Sequence, residues 1–312
     1  MSDHNLSVVQ FVHPGFEYHS REYLGPRQDR SGVMHWKPGR ARHDRKFLLS
    51  PGSLFDAKTG RDHVSAPLVF WGEWEPPSVF WRVESPGRPL PSVLHAPFLP
   101  TEVPTNSVQN TDPMVFGDAF IYSNCLQAAY VSLRTLTPGS MVLFGRYGRV
   151  DKRPSFSLDT CLVVDRVQKL APTPFDPADY GSDLLTDAVL GPLFTEGARE
   201  NLFVYAGARR STETDRPFSF FPARLMDEPE ALFARPELLP TEVLEGVISP
   251  GNMQGISRTS GLSSTDRDAI WDEVVRQVSD AGCGLGYRAF APPMLGQDEA
   301  AALARKSPRP LP

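Results

Sequence analysis

An α+β fold on a twisted mixed β-sheet or partial β-barrel is what the sequence predicts, on three observations. Short apolar runs rich in β-branched and aromatic residues recur along the 312 residues without regular strand–helix alternation, which argues against doubly wound and TIM-barrel architectures. Only two or three segments carry helical periodicity. Prolines number 31, about twice their ~5% average share, and proline interrupts helices and central strands, so loops are long and helices few. The expectation is a single α+β domain over residues 1–300, with a barrel-like core at roughly 60–210 and a flexible tail over 301–312.

Taken in order, "LSVVQFVHPG" (6–15) predicts a strand ended by His-Pro-Gly, followed by some fifty polar, basic, turn-rich residues in which "KPG" and "SPG" act as breaks. Two aromatic strands follow at Leu68–Trp71 and Val79–Val83, then a Pro-rich irregular excursion over 88–113. "SNCLQAAYVSLRTLTPGS" predicts a helix: Ser123 suits an N-cap, Leu126, Tyr130, Leu133 and Leu136 share a face with Ala129, and Pro138-Gly139 stops it. "SMVLFG" and "SLDTCLVVDRV" read as buried strands joined by the basic loop "RYGRVDKRPS", and a helical patch falls near 182–190. Strands at 201–207 and 218–225, the best helix at 263–282 with an apolar stripe of Ile270, Val274 and Val278, and a last strand at 285–292 complete the pattern.

Several function classes lose ground on composition and motif. No apolar run approaches the ~20 residues that span a bilayer, and the N-terminus has no basic n-region with a long apolar h-region, so a soluble, cytoplasmic protein with no membrane contact is expected. The cysteines, Cys125, Cys161 and Cys283, are odd in number and far apart, which argues against a disulfide framework and a thiolate zinc site. There is no P-loop, GxGxxG, GxSxG or HExxH, and no cofactor is expected.

Charge is uneven. Between Arg21 and Arg61 lie ten Lys/Arg and four Asp/Glu, a local +6 that leaves −11 elsewhere for the net −5. Within this stretch Lys37, Arg40, Arg42, Arg45 and Lys46 surround His43, with Trp36 alongside. Guanidinium forks engage phosphate oxygens bidentately, and aromatic interleaving suits nucleic acid, so the segment reads as a phosphate clamp. All seven histidines lie in the first third, so any imidazole chemistry comes from there.

Three further patterns suit chemistry. In "FWGEWEP", Trp71, Glu73 and Glu75 share one face of an extended chain; a carboxylate matches the paired donors of a guanine-like edge and an indole supplies a stacking surface. Cys125, at the start of the predicted helix, would have a lowered thiol pKa and attack an electrophilic carbon, assisted by Asp118 or by an N-terminal histidine such as His43. Asp159 opens an apolar strand as an inward-facing acid. A folded loop gathering His13, Glu17 and His19 is a weaker metal reading, since the spacing is not that of a ligand pair on a helix; no metal site is expected. Each pattern has a purely structural counterpart as well: a solvated charged loop, core tryptophans with salt-bridged glutamates, a cysteine buried as a small hydrophobe, an aspartate bonding a neighbouring loop.

The run "HPGFEYH … RHDRKFLLSPG … LVFWGEWEPPS … QNTDPMVFGDAFIYSNCLQ … LTPGSMVLFG … FSLDTCLVV" resembles bacterial proteins encoded near DNA- and nucleotide-modification or phage-defence genes. "LTPGSMVLFG … LDTCLVVD" is similar to the barrel strands of the PUA/ASCH-like fold, which cradles modified or flipped bases. The resemblance covers roughly residues 11–165. It implies a bacterial partner set of DNA or a nucleotide together with proteins of a modification cluster. In the 7-deazaguanine DNA modification systems, a base nitrile resembles a substrate that a cysteine converts to an amide; Cys125 would then attack and Glu73 read the guanine edge.

Three functions stay open at this stage: a nucleobase-modifying enzyme of hydrolase or hydratase type acting on DNA or a nucleotide, a non-catalytic reader of modified nucleic acid, and a structural or interaction protein.

Overall fold

The apolar runs of the chain are used chiefly for β-sheet. The computed structural model describes residues 5–13, 16–17, 32–36, 44–83, 91–102, 110–170, 183–195, 202–213, 216–228, 230–249 and 256–306. The strands are β1 (Leu6–Val12), β2 (Phe16–Glu17), β3 (Val33–Met34), β4 (Asp44–Asp56), β5 (Arg61–Glu73), β6 (Ser78–Arg82), β7 (Val93–Pro97), β8 (Leu99–Pro100) and β9 (Ile121–Tyr122). After them come β10 (Met141–Val150), β11 (Arg153–Lys169), β12 (Phe203–Gly207), β13 (Phe221–Leu225), β14 (Glu237–Leu238), β15 (Ile256–Leu262), β16 (Gly284–Ala289) and β17 (Met294–Leu295). Helices are α1 (Asp183–Leu185), continued by a π turn over Thr186–Leu190 into α2 (Gly191–Thr195), then α3 (Ser264–Asp280) and α4 (Gln297–Ala304). The α+β class holds.

Two mixed sheets carry the core. One runs β15-β1-β10-β11-β12-β9 with β14 against β11; the other runs β16-β13-β5-β4-β7-β6-β3 with β2 against β4. β1 pairs in parallel with β10, and β4 with β7. Between two partners, β1 is buried on both faces, which is why "VVQFV" is a nearly unbroken apolar run. Val9, Phe11, Val142 and Phe144 of the first sheet share one buried cluster with Leu48, Leu68 and Phe70 of the second. The opposite faces, with Val8, Met141, Leu143, Val69 and Trp71, form a second cluster with Ile270, Val274 and Val278 of α3. Each such Val, Leu, Ile or Phe contributes about 1.5–3 kcal/mol when fully buried.

Two irregularities shape the interior. Phe144 pairs with Thr160 but Gly145 pairs with Leu158, so Asp159 is the extra residue of a β-bulge. A Cβ on Gly145 would overlap the Ser157 carbonyl, so only glycine lets the strands close there. A second bulge, between Gly52 and Leu54, turns the end of β4 onto β16, and β16 also bonds β13. Hydrogen bonding therefore returns on itself through β4, β5, β13 and β16.

Three expectations about elements are corrected. "SPG" does not break the chain: Ser50-Pro51-Gly52 lies inside β4. Pro51 faces Pro67 across the hairpin, and their carbonyls point outward to the N–H groups of Phe290 and Met226, so the missing N–H groups remove no bond between β4 and β5. The excursion at 88–113 contains β7, with Val93, Leu94 and His95 buried between β4 and β6. The helix expected from Ser123 is a single turn followed by a 3-10 helix at Val131–Arg134, because Leu126 takes a left-handed φ of 58° and the N–H groups ahead of it bond elsewhere.

The long helix stands as expected. Ser263 caps α3, its hydroxyl accepting from Asp266 N–H at 3.1 Å while Asp266 accepts from Ser263 N–H at 3.0 Å. The tail expected over 301–312 is helical at its start, since α4 extends through Ala304; residues 307–312 lie outside the described residues. Among the described residues no helix is long and apolar enough to cross a membrane.

Candidate active site

Distant segments converge where β1 and β5 end, β4 begins and β11 bulges. His13 follows β1, and its N–H donates to the Gly145 carbonyl at 2.9 Å, extending the β1–β10 ladder by one residue. Phe11, on the same face two residues earlier, stacks on the imidazole with centroids 5.6 Å apart. Glu73 ends β5 and stands opposite Arg45 on β4. Cys125 lies in the loop after β9. Its carbonyl accepts from the Tyr122 hydroxyl at 2.8 Å, and Gln127 ties the loop to both backbone groups of Phe203.

The side chains form one line. Cys125 Sγ is 3.1 Å from His13 Nε2, and His13 Nδ1 is 3.4 Å from Glu73 Oε2. The same Glu73 oxygen is bound by Arg45 Nη1. Arg45 Nε lies 3.0 Å from Asp159 Oδ2, and Arg235 Nε lies 2.8 Å from Asp159 Oδ1. The Arg235 guanidinium sits over the Trp71 ring at 5.2 Å. Charges thus alternate from Glu73 to Arg235, and none of the five residues from His13 to Arg235 exceeds 5% exposure. Buried charges persist only when paired, and the alternation supplies the pairing.

This order of contacts suits a nucleophile, a base and an orienting acid. The imidazole tautomer with its proton on Nδ1 faces Glu73 with a donor and Cys125 with an acceptor. At 3.4 Å the His13–Glu73 contact is at ion-pair distance, long for a hydrogen bond; catalytic contacts of this kind shorten when substrate binds. Cys125 is half-buried, and Ala128 to Val131 just beyond it are exposed, so the thiol lies at the margin of the buried cluster.

Burial, then the negative charges of Asp112 and Glu73, push the Cys125 thiol well above its ordinary range, and Arg45 offsets this in part. The expectation of a lowered pKa is therefore reversed, since the helix dipole that was to lower it is missing. A thiol held protonated in this way would have to give its proton to His13 before acting as a nucleophile. Burial opposes the Arg45 charge, but Glu73 and Asp159 outweigh it and raise its pKa.

Of the other residues singled out, Glu73 and Cys125 are brought together as expected, though Glu73 is engaged inside the fold: Oε2 faces His13 and Arg45, and Oε1 accepts from Asp112 N–H at 3.1 Å. Asp118 is exposed and pairs with Arg288 at 2.8 Å on the surface, so it does not assist Cys125. Arg45 and Lys46 are interior rather than phosphate-facing, Lys46 donating to the Trp74 carbonyl. Trp71 is core: its indole N–H donates to the Phe233 carbonyl at 2.9 Å, and Phe47 and Arg235 pack on it, leaving no free stacking face. Glu75 is buried, with its N–H on Thr111. Trp36 is half-buried. Lys37, Arg40, Arg42, His43, His19 and the side chain of Glu17 lie outside the described residues.

Three members of the line escaped the sequence reading of the site, His13 as the particular base, Arg45 as an internal partner and Arg235 altogether, as did Asp112, which bonds Glu73 beside the line. Only His13 left a signal, a histidine placed between a largely apolar strand and the Pro14-Gly15 break. Among the described residues no group of three or more His, Cys, Asp and Glu side chains is arranged to hold a metal ion. Comparison with protein-family models, with curated proteins and with solved structures found no match in any of the three.

Proposed function

We propose that this protein is a cysteine-dependent enzyme of hydrolase or hydratase type, with Cys125 as nucleophile, His13 as its base and Glu73 as the acid that orients His13. The observation that carries this reading is the 3.1 Å contact of Cys125 Sγ with His13 Nε2, whose opposite nitrogen faces Glu73. The thiol proton moves to Nε2 as sulfur bonds to an electrophilic carbon. For an acyl-type substrate, the leaving group departs with that proton and a thioester forms. Water, giving a proton to His13, then cleaves the thioester and restores the thiol. Arg45, held by Glu73 and Asp159, stands as counter-charge to Glu73 through the cycle.

As substrate we propose a modified nucleobase, in DNA rather than in a free nucleotide. What supports this is the β10–β11 turn, where exposed Arg149, Lys152 and Arg153 gather against a single acid, Asp151. Arg153 lies six residues along β11 from Asp159, about 20 Å of extended strand, a separation that suits a polymer touching both.

Iodoacetamide labelling read by intact and peptide mass spectrometry tests the chemistry. Cys125 should be modified ahead of buried Cys161 and Cys283, and His13→Ala should slow its modification at least tenfold. Equal labelling of Cys125 in the wild type and His13→Ala overturns the assignment. DNA binding with no loss on adding salt overturns the substrate reading; tight binding that survives Cys125→Ala with no turnover of any modified base in the wild type favours a non-catalytic reader.

A further inference from the structure

Asp112 is absent from the mechanism above, yet its carboxylate holds three successive N–H groups of the nucleophile loop. Its Oδ1 accepts from Ser123 N–H at 2.8 Å, and its Oδ2 accepts from Asn124 N–H at 2.8 Å and Cys125 N–H at 2.6 Å. Its own N–H donates to Glu73 Oε1. One residue therefore binds the backbone that carries the thiol and the acid that faces His13. Three successive N–H groups aimed at one point form a concave anion site, and here the anion is supplied by the chain itself.

We propose that Asp112 is the positioning residue of the nucleophile loop and the proton-operated switch of this site: ionised, it gathers the three N–H groups and sets Cys125 against His13, and on taking up a proton it releases them. This rests on the Cys125–His13 reading. The groups facing Asp112 are Glu73 from the end of β5, and Tyr122 and Cys125 from β9 and the loop after it; Arg45 stands behind Glu73. Among the described residues no cation lies at ion-pair distance from the Asp112 carboxylate. Burial pushes its carboxyl up to about 6, and the proximity of Glu73 adds to this, against the three N–H bonds that favour the charge. Proton uptake therefore falls where the solution pH of an ordinary assay can drive it. A neutral carboxyl is a weaker acceptor than a carboxylate, and its acid hydrogen adds a donor where three donors already converge.

Hydrogen–deuterium exchange of the full-length protein, read on the peptide covering residues 123–127 and corrected for intrinsic rates, tests the switch without using turnover. Protection of these amides should fall about tenfold or more between pH 7 and pH 5, because hydrogen bonds to a charged acceptor are the stronger kind. The same fall should appear in His13→Ala, which separates Asp112 from the imidazole. Asp112→Asn should show low, pH-independent protection, and Asp112→Glu should restore part of the pH dependence. Flat protection across this range in the wild type overturns the proposal whether or not the variants fold. A protein whose Cys125 labelling depends on His13 but whose loop protection is flat keeps its catalytic pair and loses the switch; the reverse result keeps the switch and removes the catalytic pair.

Discussion

His13 Nε2 stands 3.1 Å from Cys125 Sγ, across 112 positions of sequence. The contact exists because β1 runs parallel to β10 and delivers His13 to Gly145, where β10 and β11 bulge, while Gln127 and Tyr122 clamp the cysteine loop from the side of β12. Removing the imidazole should therefore leave the loop in place and remove only the proton acceptor. His13→Ala is expected to lower any Cys125-dependent turnover by about 10²–10⁴, with the thermal midpoint changing far less. Steady-state assays beside a melting curve check both.

Glu73→Gln removes the negative charge shared by His13 and Arg45. Arg45 then keeps only Asp159, which it shares with Arg235. Breaking a buried pair by removing one partner destabilises by about 3–5 kcal/mol, and a loss of that size is expected in urea unfolding. The double variant Glu73→Gln, Arg45→Met should lose less than the two singles added.

Asp159→Asn leaves two buried guanidinium groups facing a neutral amide. Stability should fall by about 3 kcal/mol or more on the same reasoning, with labelling of Cys125 accelerated in the loosened fold. Substituting Lys46 or Arg45 should likewise show in stability and leave the salt dependence of any DNA binding unchanged; substituting Arg149 and Arg153 should lower the slope of binding against salt, roughly one counterion per cation removed.

The pH dependence of stability carries the sign of Asp112. Its folded pKa, raised to about 6, exceeds the ordinary 3.8, so between these values the folded state holds a proton that the unfolded state has lost. Stability from this group is fully present below the lower value and is lost as pH rises through the upper one, in total about 3 kcal/mol. Urea midpoints compared at pH 4.5 and 7 should show this loss in the wild type and none from this source in Asp112→Asn.

Gly145→Ala places a methyl group against the Ser157 carbonyl at the bulge. Overpacking of this kind costs about 1–3 kcal/mol, and the shift should move Asp159, so Cys125 labelling and thermal stability should change together.

The strands were legible wherever burial on one or two faces leaves a local apolar pattern, as in "VVQFV" and "SMVLFG", and α3 was legible from its cap and stripe. Ser50-Pro51-Gly52 misled because the proline's outward carbonyl is set by β16, which lies more than two hundred residues away in sequence. Cys125 was singled out for the wrong local reason: three N–H groups that read as a helix start are bound by Asp112. Arg45 and Lys46, at the end of the basic run, read as surface because local charge carries no mark of a distant counter-charge. Arg45 is interior only because Glu73 and Asp159 arrive from β5 and β11 to neutralise it.

The line from Cys125 to Arg235 also has a consequence in time. A chain emerging from synthesis presents His13 first, then Arg45, Glu73, Cys125 and Asp159, and Arg235 last, so the outermost charge of the line is the latest to appear. Until it does, Asp159 has only Arg45 to neutralise it, and the acid behind the imidazole is held by a shared and incomplete pair. Cys125, His13 and Glu73 therefore take up their final contacts only when the fold is nearly complete. The setting in which Cys125 and His13 meet is thus a product of folding and not of any local stretch of sequence.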